Sequence, residues 1–194
     1  SCTEYHRFMI NRQAHALLFA ALFMFISRVA VADKILMDDF TVNPQSRWTF
    51  ISDQVMGGVS TGHINFKADS GQSYVEMLGR VSTENNGGFI QFRSPIPELD
   101  LQGTSGIVLT VKGNQQRYFV HLRSRWTILP WQYYQAPFDV EESWNEVRLP
   151  WKTFKSSSTW LPNITSSRGL SSIGIVAFGR EHTAQVAVKD IGFY

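Results

Sequence analysis

Two stretches decide how this chain folds: Ile107-Val108-Leu109-Thr110-Val111 and Tyr118-Phe119-Val120-His121-Leu122-Arg123. Ile107, Leu109 and Val111 alternate along the first, and Tyr118, Val120 and Leu122 along the second. A period of two places one set of side chains in a core and the other toward water, which is the pattern of a half-buried β-strand. On either side of them, runs rich in β-branched and aromatic residues recur, each bounded by Gly, Pro, Asn, Asp or Ser. We expect strands at Ile35 to Phe40, Trp48 to Ile51, His63 to Phe66, Tyr74 to Val81, Gly88 to Arg93, Ile107 to Val111, Tyr118 to Arg123, Gln132 to Phe138, Trp144 to Leu149, Ile173 to Phe178 and Val186 to Phe193. No stretch of comparable length has a helical period. Many short strands without intervening helices predict an all-β fold, an antiparallel β-sandwich or jelly roll. The segment Lys155 to Gly169, with Ser156-Ser157-Ser158 and Ser166-Ser167, reads as a surface loop that Trp160 and Leu161 pin to the body.

The N-terminus reads differently. Arg7 and Arg12 precede an apolar run from Ala16 to Ile26, followed by Ala30-Val31-Ala32, the small-x-small pattern of a cleavage site. Residues 1–32 are therefore expected to be an extension and a cleavable export signal, and 33–194 a single β-sandwich domain, periplasmic or secreted after cleavage. The run is much shorter than the roughly 20 residues that span a bilayer. Three of the 18 basic and one of the 16 acidic residues precede Asp33, leaving 15 of each in the mature chain. A neutral chain without Lys/Arg runs excludes nucleic acid as an expected partner. Cys2, the only cysteine, precedes the signal, so disulfides and thiol chemistry are excluded from the mature chain.

Gly58-Val59-Ser60-Thr61-Gly62 matches the pattern of a serine-hydrolase nucleophile elbow, but His63 to Phe66 alternates like a strand where that motif needs a helix. Ser60 is therefore read as a turn residue. A hydrolase built on Ser60 or on an Asp53/Glu84 carboxylate pair is the third-ranked function. The glycine pairs Gly57-Gly58 and Gly87-Gly88 lack the Lys-Ser/Thr tail of a phosphate loop and read as turns or bulges, or as an edge where backbone approaches a ligand. His63, His121 and His182 have no paired zinc spacing. Asp38-Asp39 or Asp190 could contribute to a calcium site, with solvated acids as the plainer reading. No catalytic set, metal or cofactor is expected.

Arg123-Ser124-Arg125-Trp126-Thr127-Ile128-Leu129-Pro130-Trp131-Gln132-Tyr133-Tyr134 is the richest stretch chemically. Such aromatics stack on sugars or anchor a protein partner, or face the core. If the strand runs through it, Trp131 and Tyr133 share one face, Gln132 and Tyr134 the other, and only one pair is buried. The candidate ligand or partner surface comprises Asp53, Asn85, Asn86, Arg93, Arg123, Trp126, Trp131, Tyr133 and Tyr134.

Asp53-Gln54-Val55-Met56-Gly57-Gly58-Val59-Ser60 and Glu84-Asn85-Asn86-Gly87-Gly88-Phe89, followed by Arg93, resemble the complex I intermediate-associated protein family, the thirty-kilodalton kind. Val111-Lys112-Gly113 leading to Tyr118, Leu122-Arg123, Trp144, Val147, Leu149-Pro150 and Phe154 continue the likeness. The resemblance spans most of Leu36 to Tyr194 and implies a galactose-binding-like jelly roll with an assembly or binding role; eukaryotic members of that family help build respiratory complex I. It carries over no catalytic residues. One departure is Asn114-Gln115-Gln116, where the family tends toward an acidic or glycine-containing turn. The export signal is another, because it separates the chain from the cytoplasmic arm of complex I. The expected function is thus a non-catalytic assembly-factor module for a protein partner in the envelope, with a carbohydrate-binding module as the alternative.

Overall fold

Strand-forming runs separated by short turns give twelve strands over residues 33–194, which are the residues the computed structural model describes. They are β1 (Ile35–Asp38), β2 (Thr49–Ser52), β3 (Thr61–Asp69), β4 (Gln72–Val81), β5 (Phe89–Pro95), β6 (Gly106–Gly113), β7 (Arg117–Ser124), β8 (Tyr134–Asp139), β9 (Asn145–Pro150), β10 (Lys155–Ser156), β11 (Leu170–Phe178) and β12 (His182–Phe193). Short 3-10 turns are the only helical elements among the described residues. The expected export signal lies outside the described residues.

The strands form two antiparallel sheets. The first has the order β3-β4-β12-β6-β9, with β1 also on β12; the second runs β10-β8-β7-β11-β5-β2. This is the antiparallel sandwich of a jelly roll. The alternation of the opening pair of strands determines the core: Ile107, Leu109 and Val111 on β6, and Tyr118, Val120 and Leu122 on β7, are all fully buried. The two strands are consecutive in the chain yet belong to different sheets, so their inner faces meet across the core rather than side by side. Met77, Val186 and Ile191 of the first sheet and Ile90, Phe92, Ile173 and Ile175 of the second join the same cluster. Tyr118 is buried with its hydroxyl satisfied: it donates to Asn114 Oδ1 (2.6 Å) and accepts from Gln185 N (2.8 Å). Burial pushes its pKa up to about 12. Asn114 also donates to Thr183 O, so the turn that departs from the family pattern packs onto its own sheet.

Several boundaries differ from those expected. Trp48 is buried ahead of β2, donating its Nε1 proton to Asp38. The expected strand from His63 is longer, because the β3–β4 hairpin keeps its register from Thr61↔Arg80 to Asp69↔Gln72. β10 lies inside the segment read as loop. Within that segment Leu161 is buried, but Trp160 is 91% exposed and pins nothing.

Candidate functional site

Of the connections that cross between the sheets at one end of the sandwich, three meet in one knot: β2 to β3, β4 to β5 and β11 to β12. The first carries Asp53 to Ser60, the second Ser82 to Gly88. Asp53, expected at a ligand surface, is fully buried between them. One carboxylate oxygen accepts from Ser60 N (2.9 Å); the other accepts from the Ser60 hydroxyl, Gly88 N (2.6 Å) and Phe89 N (3.3 Å). Ser60 Oγ in turn accepts from Ser82 N at 2.9 Å. Burial pushes the Asp53 carboxyl up, but the donors from Ser60, Gly88 and Phe89 outweigh it and hold the group below its ordinary range.

This buried anion explains both glycine pairs. A Cβ on Gly58 would collide with Asp53 Cγ, and one on Gly87 with Asp53 Oδ2. Gly57, Asn85 and Asn86 take left-handed φ of 88°, 56° and 58°, which Gly and Asn adopt most easily. Asn85 reaches Gly57 O through its amide, at 3.3 Å, and both asparagines are exposed. The third crossing joins through Glu181, whose carboxylate accepts from the Ser82 and Thr83 hydroxyls and from Thr83 N. Ser60 is buried inside this knot, so its hydroxyl is not presented to a substrate, and the proposed carboxylate pair splits into a buried Asp53 and an exposed Glu84.

The acids considered for calcium are occupied by protein groups. Asp38 takes a two-pronged contact from Arg47 and a bond from Trp48; Asp39 takes Thr41; Asp190 takes Lys34 and Thr110. Among the described residues no three His, Cys, Asp or Glu side chains gather as a metal site.

The outer face of the second sheet holds the other candidates. Register aligns Thr49, Arg93, Gly174, His121 and Gln135 in one row across five strands, with Gln91, Val176 and Phe119 in the next. Tyr133 stacks flat on His121, ring centres 4.1 Å apart and 10° between planes, and Phe178 meets His121 edge-on. Burial pushes His121 down to about 4, and the neighbouring Gln135 offsets this only in part. Their contact lacks hydrogen-bond alignment, for His121 Nε2 and Gln135 Oε1 are both buried without a partner. Burial also raises the Tyr133 pKa. Tyr134, placed on the candidate surface by the sequence reading, points the other way and is a core residue, 1% exposed. The predicted pairing of Trp131 with Tyr133 on one face fails because β8 begins only at Tyr134 and a turn from Leu129 to Gln132 precedes it.

The loop between β7 and β8 lies at the far end of this sheet from Asp53, where Ser124 faces Leu170. Arg123 spends its guanidinium on the loop's own backbone, donating to Thr127 O (2.8 Å), Leu129 O (3.0 Å) and Pro130 O (2.9 Å). Ser157 sews the loop to β10, accepting from Tyr133 N and donating to Trp131 O. Held this way, the loop leaves Trp126, Ile128, Leu129 and Trp131 exposed, with Arg125 over the Trp126 ring at 4.6 Å. Of the nine candidates, the structure gathers Arg93, Arg123 and Tyr133 on the face, Trp126 and Trp131 on its rim, and Asn85 and Asn86 at the opposite end. His121, Gln135, Phe119 and Phe178 complete the face and were missed, since only strand register brings them together.

Solved structures with the same architecture include the family 11 carbohydrate-binding module from Clostridium thermocellum in complex with a β-1,3-1,4-mixed-linked tetrasaccharide. It has a TM-score of 0.62 at 15% identity, covering 82% of this chain and 94% of that one. The family 11 module of the cellulosomal cellulase Lic26A-Cel5E of Clostridium thermocellum has the same TM-score and identity, over 83% and 94%. At this identity the likeness is one of fold. No curated protein sequence matches the chain. The profile of the family described as Complex I intermediate-associated protein 30 (CIA30) matches residues 39–183, which include the whole Asp53 knot, the outer face of the second sheet and the loop rich in tryptophan. The chain belongs to the CIA30 family.

Proposed function

We propose that this chain is a non-catalytic binding module that holds a protein partner outside the cytoplasm, in the manner of an assembly factor, through the loop between β7 and β8. The observation that carries this reading is the exposure of Trp126, Ile128, Leu129 and Trp131 on a loop whose carbonyls Arg123 fixes in place. Tryptophan and arginine are enriched in interface hot spots, and a loop ordered in advance loses less entropy on binding. Family membership supports a protein partner; the export pattern ahead of Asp33 supports the compartment. A benzophenone amino acid placed at position 131 should give one dominant protein adduct in cells, reduced by Trp126→Ala, while the same group at Lys67 gives none. Equal labelling from both positions, or none from 131, would sink the reading.

A second reading, carbohydrate binding, is favoured by the flat Tyr133/His121 stack and the unpartnered atoms of His121 and Gln135 on the sheet face. The tetrasaccharide bound by the family 11 module of like fold supports it. A glycan array probed with the wild type and Tyr133→Ala separates the two.

A further inference from the structure

Beside the tryptophan-rich loop, a groove of about 640 Å³ is lined by Arg47, Arg93, Arg123, Ser172, Ile128 and Pro130. Its three guanidinium groups are differently placed. Arg47 is neutralised by the two-pronged contact with Asp38. Arg123 donates to three carbonyls, which satisfy N–H groups but leave its charge uncompensated, and its Nε has no partner among the described residues. Arg93 makes no ion pair among the described residues. Its neighbours in register, Thr49 and Gly174, are neutral, as is Ser172 beside Arg123. Two half-buried cations thus face one groove with no carboxylate on its walls. Burial and the charge of Arg93 both push the Arg123 pKa down, so the neighbouring cation disfavours the charge on Arg123. An anion between them would relieve that repulsion and take charge-assisted hydrogen bonds from both. The rim is apolar: Ile128 is 84% exposed.

We propose that the groove receives an Asp or Glu side chain of an extended partner segment, with an apolar neighbour of that residue resting on Ile128. This rests on the protein-partner reading and names the partner's chemistry. The carboxylate bridges the Arg93 guanidinium and Arg123 Nε, and the segment continues toward the exposed tryptophans.

The test is a spotted array of ten-residue peptides in which Asp, Glu, Asn, Gln or Lys is paired with Leu, Trp or Ala, probed with the full-length protein. Peptides joining Asp or Glu to Leu or Trp should bind about tenfold more tightly than their Asn or Gln counterparts, the size of one charge-assisted contact. That preference should vanish in Arg93→Gln, persist in part in Arg93→Lys, and shrink in 1 M salt. Unchanged tryptophan fluorescence of both variants establishes that the fold is intact. Apolar peptides bound without acid preference, or a preference that survives Arg93→Gln, overturn the groove and leave the protein-binding reading standing. No bound peptide overturns the groove as a peptide site, and the cross-linking result at position 131 then decides the broader reading alone. Binding of polygalacturonate that depends on Arg93, in place of peptide, assigns the groove to an acidic glycan and equally overturns the proposal.

Discussion

At the Phe89/Phe178 end of the second sheet a carboxylate is buried among backbone N–H groups; at the Ser124/Leu170 end a guanidinium is spread over backbone carbonyls. Both charges organise loops, but they do so at different depths. Asp53 has no exposed surface, and its four donors leave it no capacity for a ligand. Arg123 is half-exposed and keeps donor capacity toward the groove. The side chains around Asp53 are small or absent, because Gly58 and Gly87 must let the carboxylate in. Those that the Arg123 loop presents are large and turned to water. The first end is closed to a ligand, and the second is the end assigned to contact in the proposed function.

Perturbing the buried end should give the largest effect. Asp53→Ala leaves Ser60 N, Gly88 N and Phe89 N without an acceptor, and unpaired buried donors cost about 1–3 kcal/mol each. A loss of about 4 kcal/mol in urea unfolding is expected, enough to unfold a marginal domain. Gly58→Ala should approach that loss through steric overlap alone. The pH dependence has a definite sign. Since the folded pKa of Asp53 lies below the ordinary 3.8, its contribution is present above that value and lost as pH falls through the folded pKa. Asp53→Asn should remove this part of the acid limb. If Asp53→Ala unfolded within 0.5 kcal/mol of wild type, the distinction between the two ends would collapse.

His121 lies between the ends and should give the next largest effect. Its folded pKa of about 4 lies below the ordinary 6.5, so between those values the unfolded chain takes up a proton that the folded one refuses. Stability therefore falls as pH drops from 6.5 to 4, by about 3 kcal/mol in all. His121→Phe keeps a ring against Tyr133 and should flatten the profile over that window. Urea titrations at pH 7 and pH 4.5 check this, and an unchanged slope would place His121 in a more solvated setting.

The contrast also explains what could be read in advance. Alternation in β6 and β7 gave the inner face of both sheets, because a core selects every second residue over a short stretch of chain. The glycine-rich segments were visible as a unit, yet their purpose was not, since no local pattern says that one acid fills the space left by both Gly58, five residues on, and Gly87, 34 residues on. An Asp followed by two glycine pairs was the available signal. Tyr134 was misplaced because both tyrosines were assigned to the surface although alternation allows only one of them there; Tyr133 lies on the outer face against His121 and Tyr134 in the core. The face of His121, Gln135, Phe119 and Phe178 depends on the register of β7, β8 and β11, which nothing in the separate strands specifies.

Arg123→Ala tests the contact end directly. Two of its three hydrogen bonds, to Leu129 O and Pro130 O, are exposed and only that to Thr127 O is part-buried, so the loss should be about 1–2 kcal/mol, below that of Asp53→Ala. The loop should nonetheless loosen, seen as faster amide exchange at Trp126 to Gln132 and a red shift in tryptophan emission. Binding should weaken more than stability does, because the carbonyls no longer hold Ile128 and Trp131 in one arrangement. Equal losses of both would indicate that the arginine acts only on the fold.

Trp160→Ala should have the smallest effect on stability, under about 0.5 kcal/mol, since the ring is 91% exposed. Leu161 beside it is buried and holds the segment, so Leu161→Ala should cost about 2–3 kcal/mol. The pair separates anchoring from display within two adjacent residues. Ser157, three residues before Trp160, binds the carbonyl of Trp131 and the amide of Tyr133 and so ties this segment to the margin that carries the exposed loop. If that margin is the contact surface, Trp160→Ala reduces the cross-link yield from position 131 while its urea midpoint matches wild type. A wild-type yield would confine the surface to the β7–β8 loop. A shifted midpoint would mean that the ring packs on the body after all.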